Sequence, residues 1–301
     1  MKITRIITLP ILLAMLLIGA TLQAQELGDT VIRTNTTWSG SLTIKGVVVV
    51  ARGATLTISP GTKIAFKKVD RNHDAIGDSE IRVLGRILAK GSKEAPIQFS
   101  SAEAEPAPKD WSYLLIFTSG QVNEVRYCQF RHGFSGLQVQ FSTAIATDNL
   151  FENNHEGIRF GRAKLTLKHN TFSNNDLGVR FTRMEGPMEM LSNDIHHNRI
   201  GVFLVPSGQN IQDFFEPGRA GIPWNQGHLM IQGNNIYANT DYNLNLGAKQ
   251  KWDLQISGNW WGEQSEEAIR QKIFDHRMDD RLGQAIIQPL AQEKITKAGI
   301  R

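Results

Sequence analysis

The sequence predicts an all-β, single-stranded solenoid, a parallel β-helix, and three observations predict it. Asn-x-Phe followed by Gly-apolar-x-apolar returns every 21 to 23 residues: Phe130, Phe151 and Phe172 stand 21 apart and Ile195 follows after 23. Gly136, Gly157, Gly178 and Gly201 keep the same steps, each followed by a period-2 pair (Leu137/Val139, Ile158/Phe160, Val179/Phe181, Val202/Leu204). A second set of pairs, Ala144/Ala146, Leu165/Leu167, Met188/Met190, Leu229/Ile231 and Leu254/Ile256, sits five and three residues before the next asparagine. A period near 20 is too short for a βαβ unit and suits one turn of a solenoid. Residues of a period-2 pair face one way, so stacking coils roughly 4.8 Å apart joins the pairs into a continuous core.

The elements follow in order. Residues 1–24 read as a cleavable leader: Lys2 and Arg5 are basic, Ile6–Ala20 is apolar but interrupted by Pro10, and cleavage is expected near Ala24. That makes the mature chain an exported one, periplasmic or extracellular, and not an integral membrane protein. Residues 25–120 read as an N-terminal cap and wide first coils, built from Leu42/Ile44, Val47–Val50, Leu56/Ile58, Ile64/Phe66, Ile81/Val83, Ile97/Phe99 and Leu115–Phe117. Residues 121–262 hold the regular repeats. Their corners carry two asparagine columns, Asn149/Asn170/Asn193 and Asn154/Asn175/Asn198/Asn239, expected to use left-handed backbone and to pass amide hydrogen bonds along the stack. Glycine at the next corner is expected for its conformational freedom. Residues 263–301 read as a C-terminal cap: a helix over Ser265–Phe274, then a strand over Gln284–Leu290.

Charge narrows the partners. The 301 residues carry 33 Lys+Arg against 29 Asp+Glu, a net +4 that falls to +2 without Lys2 and Arg5. So small a balance argues against nucleic acid, which needs a phosphate-neutralising patch. Cys128 is the single cysteine, so neither an internal disulfide nor a thiolate metal centre can form, and it is expected to pack as a buried thiol.

Several groups carry chemistry. Asp70, Asn72, Asp74 and Asp78 alternate oxygen ligands as extracellular calcium loops do, although Ala75 stands where a turn glycine usually sits; the expectation is a structural calcium. Gln138, Arg159, Arg180 and Phe203 share one outward strip, and stacked arginine forks suit the carboxylates of acidic sugars. The alternative reading is a solvated face with nearby acids; the strip itself has no acid at its intervening coil positions, which argues against a calcium-dependent lyase. His155, Asp176 and Arg199 share a corner on three coils, and Asp148 and His169 share another; these read as charge ladders rather than catalytic pairs. Asp148, Asp176 and Asp194 fall at three different positions of the repeat, which argues against the paired carboxylates of a glycosidase. Between Leu204 and Leu229 about 18 extra residues leave the stack, and Phe214, Phe215, Arg219 and Trp224 lie in this 205–228 insertion.

Three stretches resemble the bacterial secreted right-handed parallel β-helix repeat proteins of pectin-lyase-like fold. They are Leu56–Phe66 with Val83–Gly91 and Ala95–Phe99, the repeat block itself, and Gly258-Asn-Trp-Trp-Gly262 with Ile273–Asp275 and Ile287–Leu290, which looks like that group's closing module. The resemblance implies a right-handed parallel β-helix. It implies a leaning toward carbohydrate and no single activity, because the same fold hosts lyases, hydrolases and epimerases as well as proteins of unassigned role. The expected function is a non-catalytic, monomeric polysaccharide-binding or scaffold protein of the cell envelope, with Arg159, Arg180, Phe203, Phe214, Arg219 and Trp224 as ligand contacts. The alternatives are a polysaccharide lyase, hydrolase or epimerase, and an accessory factor that docks an exported protein through residues 205–228.

Overall fold

Each turn of chain lays down three short strands, and like strands of successive turns pair in parallel. The computed structural model describes residues 25–182, 186–205, 229–247, 250–263 and 265–301. Sheet A has nine strands, from Gln25–Leu27 to Asn235–Tyr237. Sheet B has ten, from Thr30–Ile32 to Ile273–Phe274, and sheet C has eight, from Thr36–Trp38 to Leu229–Gln232. The leader read in residues 1–24 and the insertion residues Phe214, Phe215, Arg219 and Trp224 lie outside the described residues. The insertion's flanks are placed: the chain leaves sheet B at Val205 and enters sheet C at Leu229.

The period-2 pairs point inward in all three sheets. One column of sheet A runs through Leu42, Ile64, Phe99, Phe130, Phe151, Phe172, Ile195 and Ile236 by direct pairing of coils. Its four phenylalanines stack face to face at 4.7, 4.9 and 4.7 Å between ring centroids, so the coil rise and the ring spacing coincide. The wide coils are not the first ones. Ile64 to Phe99 and Phe99 to Phe130 are the long steps, because residues 67–79 and 102–110 loop out before sheet B, whereas Leu42 to Ile64 is already close to the regular period.

Both asparagine columns form hydrogen-bonded ladders, and each runs further than the repeat pattern alone indicated. The first passes from Asn149 through Asn170, Asn193 and Asn234 to Asn259, with the buried Cys128 as its first rung. Its repeating unit is compact. Asn170 Oδ1 accepts both the backbone N–H of Asn149 at 3.0 Å and its Nδ2–H at 2.9 Å, while Nδ2 of Asn149 also donates to the Val125 carbonyl. The second ladder runs from Gly133 through Asn154, Asn175, Asn198 and Asn239 to Asn243.

Left-handed backbone was expected on these asparagines and lies one residue earlier. Asp148, His169 and Ser192 precede the first ladder, Asn153, Asn174 and His197 the second, all with φ of 55–57°. The turn is therefore made by the preceding residue, which frees the asparagine to point inward. Glycine at the following corner is also there for another reason than its φ. A Cβ on Gly157 would sit 2.5 Å from the Gly178 carbonyl and 3.0 Å from the Phe172 ring, so only glycine lets adjacent coils close up.

The last coil is covered as expected, with a shorter helix. Ser265 caps it by accepting from the Ala268 N–H at 3.2 Å, but the helix spans only Glu266–Gln271. Ile273 was assigned to its apolar face and instead begins a strand that extends sheet B, while Ile269 alone is buried from the helix. The final strand is Ala285–Ile286, paired with Leu254–Gln255. No helix among the described residues is long and apolar enough to cross a membrane.

Ladder loss should be costly at any interior rung. Asn170→Ala removes the acceptor of the Asn149 backbone N–H, one of the two bonds of its Nδ2 and the side-chain donor to the Ala146 carbonyl, and the expected loss is about 3 kcal/mol in denaturant unfolding. A loss below about 1 kcal/mol would mean that water replaces the ladder.

Candidate functional site

The outer face of sheet B carries a cluster of charged and aromatic side chains. Its central strip is set by register alone: Val49, Arg82, Leu115, Gln138, Arg159, Arg180 and Phe203 are paired coil to coil. Arg159 and Arg180 therefore stack on adjacent coils, as the repeat pattern predicts. Phe203 follows directly, with the Arg180 guanidinium 5.9 Å from its ring centre. Phe134 covers the other side, 5.2 Å from the Arg159 guanidinium.

An acid lies beside these arginines, off the strip positions, as the alternative reading of a face with nearby acids has it. Glu156 is fully buried and accepts from Arg159 Nε and Nη2 at 2.7 and 2.6 Å and from Arg180 Nη1 at 2.6 Å. Strict alternation would turn Glu156 to the core side with Ile158. Gly157 faces the core together with Ile158, which sends Glu156 to the same outer side as Arg159. The carboxylate thus fixes both guanidiniums at one height, leaving the cluster with one net positive charge. Glu156 went unread because Ser135, Leu177 and Ile200 hold its place in neighbouring coils. A charged residue standing alone in a column of small and apolar ones was the available signal.

Two unpaired donors mark the same strip. Arg82 Nε and Arg180 Nε are buried and have no hydrogen-bond partner. Both atoms are closed off from solvent, so they describe the packing under the strip and not a contact open to a ligand. Arg82 itself pairs with Glu80, which also receives a hydrogen bond from Tyr113. Burial raises the Glu80 carboxyl above its ordinary range despite Arg82, and burial with the nearby Glu80 charge pushes the Tyr113 phenol up to about 12.

The corner groups behave as ladders. His155 Nδ1 lies 3.2 Å from Asp176 Oδ2; Asp176 is bound by Arg199, which reaches on to Asp241 at 2.8 Å. Asp148 and His169 are taken up by the C-terminal segment: Arg301 grips Asp148 with two bonds of 2.9 Å, and the Lys297 carbonyl lies 3.0 Å from His169 Nδ1. Asp194 faces outward on sheet A beside Lys294, so the three aspartates do sit apart.

In the 70–78 loop the candidate calcium ligands are turned to the loop's own amides. Asp70 accepts from the N–H groups of Asp74 and Ala75, Asp74 from Ile76, and Asp78 from Arg71 at 2.6 Å, while the Asn72 amide donates to Asp74. Among the described residues no three His, Cys, Asp or Glu side chains converge as a metal site would require. The arrangement therefore does not fit a bound calcium without rearrangement, and the loop is closed by hydrogen bonds of its own.

Comparison with protein families agrees with this architecture. The family model for the right-handed beta helix region matches residues 114–213, and the model for the pectate-lyase-like beta helix domain matches residues 30–149. The chain is a right-handed parallel β-helix repeat protein. No curated protein and no solved structure gives a significant match. Pectate-lyase-like β-helices fit a carbohydrate-related role.

Four histidines give the fold a pH dependence of definite sign. Burial is the first cause that holds His132, His155, His169 and His196 below the ordinary histidine value. Below that value the unfolded chain takes up protons that the folded chain resists, so stability is complete above it and falls as pH drops toward the depressed folded values. The urea midpoint should fall between about pH 7.5 and about pH 5.5, and His155→Gln should flatten that slope. A midpoint that rises over the interval would reverse the assignment.

Proposed function

We propose that this β-helix binds an acidic polysaccharide of the cell envelope along the outer face of sheet B, without turning it over, the leader read in residues 1–24 directing it there. One observation carries the reading: Arg159 and Arg180 are stacked, locked by the buried Glu156, and flanked by Phe134 and Phe203. Held guanidiniums recognise carboxylates without losing much side-chain freedom, and the rings offer flat apolar surface to a sugar. The net positive charge of the cluster favours a uronate over a neutral residue at this position.

A native-state ligand raises the melting temperature in proportion to saturation. The expected result is an upward shift with polyuronates, weakened by salt and absent with neutral polymers. Phe203→Ala should cost about tenfold in affinity while leaving Glu156 paired. No shift across the acidic panel removes the reading. A catalytic reading has one observation in its favour, the His155–Asp176 pair next to this cluster. Turnover of the bound polymer that is lost in His155→Ala would replace binding by catalysis.

Calcium in the 70–78 loop is a separate proposal of ours, supported by the spacing of four oxygen-bearing side chains. Occupancy would turn those oxygens from amides to the ion. The expected mark is a melting temperature raised by millimolar calcium and unchanged by it in Asp74→Ala; no shift in the wild type excludes the ion.

A further inference from the structure

The 70–78 loop does more than join sheet A to sheet B. It borders an open depression of about 290 Å³ on the outer face of sheet B. Arg71, Asn72 and Asp78 line it from the loop, and Glu80, Arg82 and Tyr113 from the sheet, with Val47 adding an apolar wall. Arg71 also reaches past the cavity to Asp29 of the first coil at 3.3 Å, which ties the loop down at that end. The cavity therefore lies at one end of the strip on which Arg159 and Arg180 stand. Four strand pairings separate Arg82 from Arg180, a distance of about 19 Å at the usual strand spacing.

Its chemistry differs from that of the arginine cluster. Two guanidiniums, Arg71 and Arg82, face two carboxylates, Asp78 and Glu80, and Asp29 on Arg71 adds a third, so the surroundings carry no excess of positive charge. Glu80 is already short of solvation, and a second anion brought beside it and Asp78 would meet like-charge repulsion. A cation would meet the two guanidiniums, and an apolar guest would leave donors and acceptors unpaired. The lining offers guanidinium donors on Arg71 and Arg82 and carboxylate acceptors on Asp78 and Glu80, with the Asn72 amide already given to Asp74. Hydroxyl groups both donate and accept, so a neutral polyhydroxylated ring meets both. The volume is at the small end for ligand sites, room for one ring and not for a chain.

We propose that this cavity binds one neutral pyranose residue, seated at the end of the strip whose arginines hold the acidic residues of the same polymer. The proposal rests on the carbohydrate reading above and adds to it that the polymer carries neutral as well as acidic sugars. The loop forms an end wall, so the neutral residue is received at the strip's N-terminal end.

Saturation-transfer NMR with the methyl glycosides of glucose, galactose and mannose, and of glucuronate and galacturonate, tests it. The protein is used as wild type, Arg71→Ala, Asn72→Ala and Phe203→Ala, each first shown to melt as wild type does without ligand. At least one neutral glycoside should bind, about tenfold more weakly in the two loop variants and unchanged in Phe203→Ala, with no displacement by either uronate. Binding of no neutral glycoside, binding indifferent to both loop variants, or displacement by a uronate overturns the proposal. Polyuronate binding that depends on Phe203, with no neutral glycoside bound, removes the cavity and leaves the strip. A neutral glycoside bound through Arg71 and Asn72, with no polyuronate bound, supports the cavity and removes the acidic strip.

Discussion

The regular coils of this structure depend on one repeated hydrogen bond, the asparagine side-chain oxygen that accepts both amides of the asparagine one coil before it. A parallel β-helix must turn sharply between sheets, and every turn strands backbone N–H groups inside the fold. Two buried ladders answer that need at two corners of each regular coil. Because each rung hands the bond to the next, coil spacing is set at the corners as well as in the sheets. The stacked phenylalanines beside the ladder keep the same spacing. The rigidity is shared between neighbours, as a solenoid requires.

That regularity also orders the outer face. Once the inward residues are fixed, each outward residue stands directly above its counterpart in the next coil, so the outer surface repeats with the coils. Arg159 over Arg180 is such a pair. The departures from regularity are where chemistry gathers. Gly157 turns inward out of phase and so places Glu156 beneath both arginines. The long step between Ile64 and Phe99 supplies the loop that walls the cavity. Along the corner of Asp148 and His169 the C-terminal segment uses the charges that otherwise invited a catalytic reading.

Much of this was legible in the chain. The 21-residue period, the inward pairs, both asparagine columns and the stacking of Arg159 on Arg180 follow from spacing, because a solenoid converts sequence period directly into neighbourhood. Ile273 shows a limit: it keeps helical spacing from Ile269, yet pairing with Leu244 wins over one more helical turn. Glu156 shows another, since a single inward glycine reverses the face on which a side chain emerges. Left-handed backbone fell on Asp148, His169 and Ser192 rather than on the asparagines, because a residue in that conformation turns the chain and its successor inherits the inward direction. The cavity was out of reach, since it joins Val47, Arg71 and Tyr113 from three different coils.

In the proposed reading a polymer binds the outer face of sheet B, which the ladders set and Glu156 holds. A crystal structure of the protein with an acidic oligosaccharide tests this most directly. The predicted result is a sugar carboxylate against the Arg159 and Arg180 guanidiniums, with the oligosaccharide running along the stack toward Arg82. An oligosaccharide ordered on sheet A, on sheet C or at a corner, with the sheet B face unoccupied, would contradict it.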